Sequence, residues 1–204
     1  MSCRRLCSIL LLGSLIPAGC MSLKPKPDPS RFFSLTSIPR TAQRAQDAAG
    51  TNALAVGIGP IKFPGYLDRQ QIVTRVSPNR LAVAENDRWA EPLEENFSRI
   101  LSQNLAILLQ TDKMVAYPWE RNQQPTYQVR VEVLRFEPNA EQPVELWARW
   151  SIIDSTKKTV SVRDSYLSQS ARDRSSEAAV AALSEVLANF SQEVAASIRG
   201  LNRG

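Results

Sequence analysis

All three cysteines of this chain, Cys3, Cys7 and Cys20, lie within its first 20 residues, and the chain has no histidine. A fold formed by the later residues therefore has no disulfide bond and no zinc site with cysteine or histidine ligands. Nucleophilic sites of the Cys-His and Ser-His-Asp kinds are excluded as well. The 185 residues after position 19 are enough for one domain that is held together by its own hydrophobic core.

No other catalytic pattern stands out in this chain. The segment Gly57-Ile58-Gly59-Pro60 has two glycines, but it lacks the third glycine and the Lys-Ser/Thr pair of a phosphate-binding loop. The carboxylates show no spacing that singles out a catalytic pair. We therefore predict that the protein is not an enzyme and that it binds neither a cofactor nor a metal.

The amino terminus has the features of a lipoprotein signal peptide. Arg4 and Arg5 precede an apolar run of eleven residues, 6–16, and Ala18-Gly19 stand directly before Cys20. The run is shorter than the roughly 20 residues that span a bilayer. We predict cleavage after residue 19 and acylation, including palmitate, at Cys20. An ordinary cleaved signal and a retained membrane anchor are the alternatives.

The residues after Cys20 predict a tether at the outer membrane. Met21 follows the cysteine where a retained inner-membrane lipoprotein has aspartate, which favours the outer membrane and its periplasmic face. Residues 20–30 contain three prolines, so this segment is extended rather than helical. We assign residues 31–204 to one periplasmic domain.

The charge of the mature chain is modest. Removal of residues 1–19 takes away two of the 25 basic side chains and no acid, which leaves 23 basic and 20 acidic residues and a net charge of +3. No cluster of lysine and arginine is dense enough to indicate nucleic-acid binding.

Hydrophobic periodicity predicts the α/β class: a single compact domain with a mixed, mostly antiparallel sheet and two main flanking helices, the C-terminal one long. Period-2 alternation indicates strands, which we place at 31–36, 52–61, 71–76, 80–84, 113–117, 127–136, 144–153 and 159–167. Apolar stripes with the helical period indicate a helix that starts near Pro92 and a longer one over about 176–199. The two glycines of 57–59 suggest close packing or a bulge.

Six segments, in this order, resemble one known family. They are FFSL (32–35), VGIGPI (56–61), YLDRQQIVTR (66–75), RWAEPLEENF (88–97), VEVLRF (131–136) and LWARW (146–150). Together they are similar to the ABC-type transport auxiliary lipoproteins, the PqiC (YmbA-like) family. The likeness covers nearly all of the mature chain, and segments 66–75 and 88–97 are its most specific parts.

The resemblance implies a non-enzymatic outer-membrane lipoprotein of an MCE-type lipid transport system that links the inner and outer membranes and supports envelope integrity. The implied partners are an MCE-domain periplasmic protein and an integral inner-membrane transporter subunit, and the chain itself is expected to form a homo-oligomeric ring. The alternative function is an envelope adaptor lipoprotein that binds or activates a peptidoglycan or outer-membrane assembly partner. A carrier that holds lipid inside its own fold would need an apolar cavity.

The first candidate contact with a partner is the loop Tyr66-Leu67-Asp68-Arg69. Two large apolar residues stand beside a charge pair outside regular structure, and tyrosine and arginine are frequent hot-spot residues. The alternative is that Tyr66 and Leu67 fold back onto the core.

Arg88, Trp89 and Trp147 are further candidates for the partner interface. The alternative for the first two is local packing, with Trp89 against the start of the helix and Arg88 paired with an acid such as Glu91. Trp147 lies on the polar side of its strand, so it is either exposed for an interface or covered by a loop or by the long helix.

Overall fold

The computed structural model describes residues 27–40, 54–120, 123–141 and 143–202. The predicted signal peptide, Cys20, most of the predicted tether and the polar segment 41–52 lie outside the described residues. Within the described residues, no helix is both long and apolar enough to cross a membrane.

Eight strands and two long helices make up the described fold. In chain order they are β1 (Arg31–Phe33), β2 (Val56–Lys62), β3 (Gln71–Ser77), β4 (Arg80–Trp89), α1 (Leu93–Leu109), β5 (Met114–Ala116), β6 (Tyr127–Glu137), β7 (Val144–Asp154), β8 (Thr159–Gln169) and α2 (Ser176–Leu201). A single 3-10 turn, Gly65–Leu67, connects β2 to β3. The predicted class, an α/β domain with mixed pairing and a long C-terminal helix, is confirmed.

The strands divide between two sheets rather than forming one. The smaller sheet has the order β1-β4-β3, with β1 parallel and β3 antiparallel to β4. The larger sheet has the order β5-β2-β6-β7-β8, in which β6, β7 and β8 form the predicted antiparallel meander. Arg75 of β3 joins the two sheets, because its amide donates to Pro138 O and its carbonyl accepts from the Ala140 amide, both at 2.8 Å.

Strand β2 contains the irregularity that its glycines predict. Its pairing with β6 shifts register between Ile58 and Ile61, and Gly59 has a φ of 118°. A Cβ at Gly59 would lie 2.6 Å from the Cβ of Tyr117, so only glycine fits this position. The prediction of close packing or a bulge is confirmed on both counts.

Each helix begins with features that suit its dipole. Helix α1 follows Pro92 and has Glu94 and Glu95 in its first turn. Helix α2 is capped by Ser175, whose Oγ accepts from the Ala178 amide at 3.1 Å. With 26 residues, α2 is about 39 Å long.

Both helices pack on the inner face of the larger sheet, where aromatic rings meet edge to face. Phe97 of α1 lies 5.2 Å from Phe136 of β6, measured between ring centroids, and Phe190 of α2 lies 6.0 Å from Trp150 of β7. The Trp150 indole donates to Ser165 Oγ at 2.9 Å, so its polar atom is satisfied inside the core. The helices cover this face of β6, β7 and β8, and neither of these two helices packs on the opposite face.

Candidate interaction surfaces

The loop that enters β3 divides between the core and the surface. Leu67 is only 4% exposed and belongs to the core, and Tyr66 is half-buried against it. Asp68 and Arg69 are exposed. Within this loop, the accessible part is therefore the charge pair. Its contact with a partner stays a prediction.

Tyr66 is held by a buried carboxylate on the neighbouring sheet. Its hydroxyl donates to Glu137 Oε2 at 2.8 Å, and the Nε of Arg75 donates to Glu137 Oε1 at 2.7 Å. Burial raises the pKa of Tyr66 to about 12, and the hydrogen bond to Glu137 adds to this rise. The guanidinium of Arg135 comes within 3.6 Å of the same carboxylate. Glu137 thus links the loop, β3 and β6.

Trp147 lies on the open face of the larger sheet, as its strand position predicts. It is half-buried, and the side chains around it come from the neighbouring strands β6 and β8. The Arg135 guanidinium lies 4.1 Å from the Trp147 ring centroid, and the Tyr166 ring is 5.5 Å away at 68°. Arg135 also donates to Glu145 Oε2 at 2.7 Å, which fixes its position over the indole.

Exposed apolar side chains extend this surface. Tyr166 is 67% exposed, Val162 on the same strand is 63% exposed, and Leu134 at the β6 bulge is 47% exposed. We call Leu134, Arg135, Trp147, Val162 and Tyr166 the aromatic face. Because α2 packs on the other side of the sheet, these side chains are accessible among the described residues.

Arg88 and Trp89 end β4 and point in different directions. Trp89 is 5% exposed and lies in the core, with its amide bonded to Gln70 O at 2.6 Å. The Nε of Arg88 is buried and has no hydrogen-bond partner among the described residues. The expected pairing of Arg88 with Glu91 is wrong, because the Glu91 carboxylate instead accepts from Asn96 and Arg99 of α1. The role of Arg88 in a partner contact stays a prediction.

Arg88 occupies one row of the smaller sheet together with Phe32 and Gln71. Phe32 pairs with Arg88 across the β1–β4 ladder, and Gln71 pairs with Arg88 across the β3–β4 ladder. Side chains at paired positions share a face, so these three are neighbours. The exposed Asp68 and Arg69 come shortly before Gln71 in the chain, with Gln70 between. We call Phe32, Asp68, Arg69, Gln71 and Arg88 the tether corner, because the chain enters the domain there.

A set of buried polar side chains holds the chain just after β1. Residues 34–38, which we call the strap, leave the sheet and lie across both helices. Asn96 Oδ1 accepts from the Leu35 amide at 2.9 Å, Ser184 Oγ accepts from the Thr36 amide at 3.1 Å, and Asn104 Oδ1 accepts from the Ile38 amide at 2.9 Å. These helix residues form a clasp on the strap. The strand predicted over 31–36 therefore ends at Phe33.

The clasp is not predicted by the strand and helix patterns of the sequence. Asn96 and Asn104 are fully buried, and they stand eight residues apart within the apolar stripe of α1. Ser184 and Ser191 stand seven residues apart in the stripe of α2, and Ser191 Oγ accepts from Asn104 Nδ2 at 3.1 Å. Polar residues repeated at the helical period on an apolar face are the signal that could have revealed it.

The described residues contain no group of three acidic, cysteine or histidine side chains that could hold a metal ion. The side chains with evident roles are those that join elements or face solvent.

The sequence matches the model of one protein family. The model of the ABC-type transport auxiliary lipoprotein component matches residues 33–195. A comparison with curated proteins found no match.

Solved structures share the fold at low identity. The structure of an uncharacterized protein has a TM-score of 0.67 and 18% identity, and the match covers 83% of this chain and 98% of that one. A Xanthomonas campestris protein labelled DUF330 has a TM-score of 0.64 and 14% identity, with 81% and 92% covered. The PelC dodecamer from Paraburkholderia phytofirmans matches with a TM-score of only 0.42 and 12% identity over 79% and 92%, which is too distant to support an argument. The first two likenesses show the fold.

Proposed function

Because this chain belongs to the family of ABC-type transport auxiliary lipoprotein components, we propose that it is the outer-membrane accessory of an MCE-type lipid transport system. The observation that carries this proposal is the family match over residues 33–195. The chain would act without catalysis, by holding an MCE-domain protein at the outer membrane, and that protein would connect it to the inner-membrane transporter subunit. A homo-oligomeric ring of this chain would match a multimeric tube of the MCE-domain protein.

The anchor of this accessory is the acylated Cys20. The apolar run before Ala18-Gly19-Cys20 and the lack of any later cysteine support this assignment. Two or three acyl chains anchor a protein stably, whereas a single chain binds only marginally. Mass spectrometry of the processed protein should find lipid on Cys20, and Cys20→Ala should remove the protein from the outer membrane. An intact, unmodified Cys20 in the processed chain contradicts the proposal.

We place the partner contact on the aromatic face. Trp147 and Tyr166 are large, rigid side chains of the kind that dominate interface energies, and Arg135 is a third frequent hot-spot type. Arg135 is already fixed by Trp147 and Glu145, so little conformational entropy is lost when a partner binds. An ion pair between Arg149 and Asp164, at 2.9 Å, lies on the same face between Tyr166 and Val162, and it adds a polar contact to the patch.

A photo-crosslinking amino acid at position 166 tests this assignment in cells. The adduct should contain the MCE-domain protein. The matched control is the same amino acid at position 32, because Tyr166 and Phe32 are 67% and 65% exposed. Position 32 should give no such adduct. An adduct from position 166 with a peptidoglycan or outer-membrane assembly protein, or no protein adduct, contradicts the proposal; the first of these results favours the envelope adaptor.

A paired substitution separates binding from folding. Trp147→Ala with Tyr166→Ala should abolish co-purification with the MCE-domain protein, and Trp150→Ala in the covered face should instead unfold the domain. Because Tyr166 is mostly exposed and Trp150 is only 2% exposed, the two variants should differ by several kcal/mol in stability. Loss of folding in the first variant would contradict the assignment of this face to a partner.

A further inference from the structure

The tether corner combines an exposed aromatic ring with two arginines that form no ion pair among the described residues. Phe32 is 65% exposed although its strand is part of a sheet. Beside it in the same row lies Arg88, whose Nε has no partner among the described residues. Arg69 is exposed and stands two positions before Gln71, the third member of the row. An aromatic ring next to guanidinium groups is the combination that surface-binding segments present to phospholipid.

Cations and acids are both present in and around the corner, and the two arginines of the corner are the groups that can meet phosphate. Arg69 and Arg88 belong to the corner, and the preceding tether adds Lys24 and Lys26. The acids are Asp68, next to Arg69, and Asp28, together with Glu94, whose pKa is raised by burial and by the charge of Asp68, and Glu177, which lines the same groove as Phe32. Hydrogen bonds from Ser30 hold the pKa of Asp28 below its usual range, and Arg88 contributes to this shift. Arg31 adds nothing to this balance, because it donates both of its bonds, at 2.6 and 2.8 Å, to Asp87.

The position of the corner in the chain identifies what it meets. Twelve residue steps separate Phe32 from Cys20. Even fully extended, at up to about 3.6 Å per residue, a segment of this length reaches at most about 43 Å. A lipid anchor on Cys20 therefore keeps the corner within this distance of a bilayer at all times. Tethering of this kind gives an effective concentration on the order of millimolar, so a weak surface contact is enough.

We propose that the tether corner docks on the bilayer that carries the lipid of Cys20, with Phe32 in the headgroup region and Arg69 and Arg88 on lipid phosphates. This inference rests on the proposed lipidation. Docking would hold the domain against the membrane in one orientation and leave the aromatic face, on the other sheet, free for the protein partner. Anionic lipid strengthens the contact, because each cation near such a surface contributes attraction.

A single spin label measures the distance of the corner from the membrane. Because no cysteine follows Cys20, Gln70→Cys introduces the only free thiol of the lipidated chain. Gln70 is exposed and lies between Arg69 and Gln71, so labelling leaves Phe32 and both arginines in place. The lipidated protein is placed in vesicles of phosphatidylethanolamine and phosphatidylglycerol. Power-saturation EPR should find this label near the phosphates and shielded from an aqueous nickel relaxant.

A second label site provides the reference for water. Tyr166 is 67% exposed and lies on the other sheet. A label on Tyr166→Cys should therefore be fully accessible to the nickel relaxant. If the label at position 70 is as accessible as the label at position 166, the docking proposal is overturned.

Two substitution pairs test the chemistry of the contact. Phe32→Ser should return the position-70 label to water, whereas Val162→Ser, at a site of 63% exposure, should not. Arg69→Gln with Arg88→Gln should lower the ratio of docked to free label about fivefold for each charge removed. The control pair Lys157→Gln with Lys158→Gln, in the exposed turn before β8, should leave the ratio unchanged. Equal effects of the test and control pairs would overturn the proposal.

Failure of the lipidation and failure of the docking give different results. The parent chain without an added cysteine should take up no spin label. Label uptake by the parent would show a free thiol, either an unmodified Cys20 or Cys3 or Cys7 of a signal that is not removed, and would overturn both the proposed anchor and the docking. An unlabelled parent combined with a water-exposed position 70 would leave the anchor intact and overturn the docking alone. A protein adduct at position 32 in the crosslinking experiment would likewise overturn it.

Discussion

Glu137→Gln should lower the free energy of unfolding by about 3 kcal/mol. The Glu137 side chain is 1% exposed and that of its partner Arg75 is 13% exposed. Glutamine keeps the shape of the side chain and can still accept from Tyr66. It removes the negative charge, so the guanidinium of Arg75 stays buried without a counterion. The substitution weakens the junction between the two sheets, because Arg75 belongs to the smaller sheet and Glu137 to the larger one.

The magnitude follows from the burial of the pair. Removing one partner of a buried ion pair costs about 3–5 kcal/mol. The lower end applies here, because Arg75 keeps a hydrogen bond from Nη1 to Pro78 O at 3.0 Å and retains some contact with water. Asp164→Asn is the matched control: it makes the same type of change in the Arg149–Asp164 pair, whose side chains are 61% and 43% exposed. An exposed pair of this kind contributes about 0–1 kcal/mol.

Urea unfolding followed by circular dichroism measures the difference. With a slope of about 2 kcal/mol per molar urea, Glu137→Gln should lower the midpoint by about 1.5 M. A double-mutant cycle then locates the effect: Arg75→Met in the Glu137→Gln background should cost much less than Arg75→Met alone. If Glu137→Gln and Asp164→Asn shift the midpoint equally, the reasoning from burial is refuted.

Three further predictions concern a hydroxyl, a glycine and the clasp. The raised pKa of Tyr66 means that its stabilising effect is full below pH 10, the ordinary tyrosine pKa, and is lost as the pH rises through about 12; Tyr66→Phe should show a smaller fall in its urea midpoint over this interval. Gly59→Ala should destabilise the fold by about 1–3 kcal/mol because of its positive φ, whereas Gly65→Ala, with no atom within 4 Å, should be close to neutral. Asn104→Leu should speed hydrogen exchange of the Ile38 amide at least tenfold, at about 1.4 kcal/mol per factor of ten; unchanged exchange would contradict the clasp.

The regular elements could be predicted because their patterns are local. The alternation from Tyr127 to Phe136 and the apolar stripe from Leu183 to Ile198 each repeat within one segment, and both segments form the expected strand and helix. The division of the strands into two sheets could not be predicted in this way. It depends on contacts between distant segments, such as the bonds between Arg75 and the residues around Pro138.

The candidate surface residues show the same limit. A loop position suggested that Leu67 would be accessible, yet the 3-10 turn directs it into the core at 4% exposure. The position of Trp147 was predictable, because strand alternation decides which face a residue occupies. The ring that meets it, Tyr166, comes from a separate strand, so the aromatic face emerges only when the register of β7 with β8 is known.

The clasp has a mechanical consequence for a lipid-anchored chain. Tension on the tether reaches the domain at β1, where the ion pair of Arg31 with Asp87 is largely exposed on the Arg31 side and therefore weak. Release of the three residues of β1 would lengthen the tether by about 10 Å. Further extension would have to pull the buried Leu35 out of the core and break the amide bonds of the strap to both helices together. In a chain anchored through Cys20, the attachment would thus yield in two stages, a compliant first step and then a stiff stop that protects the core.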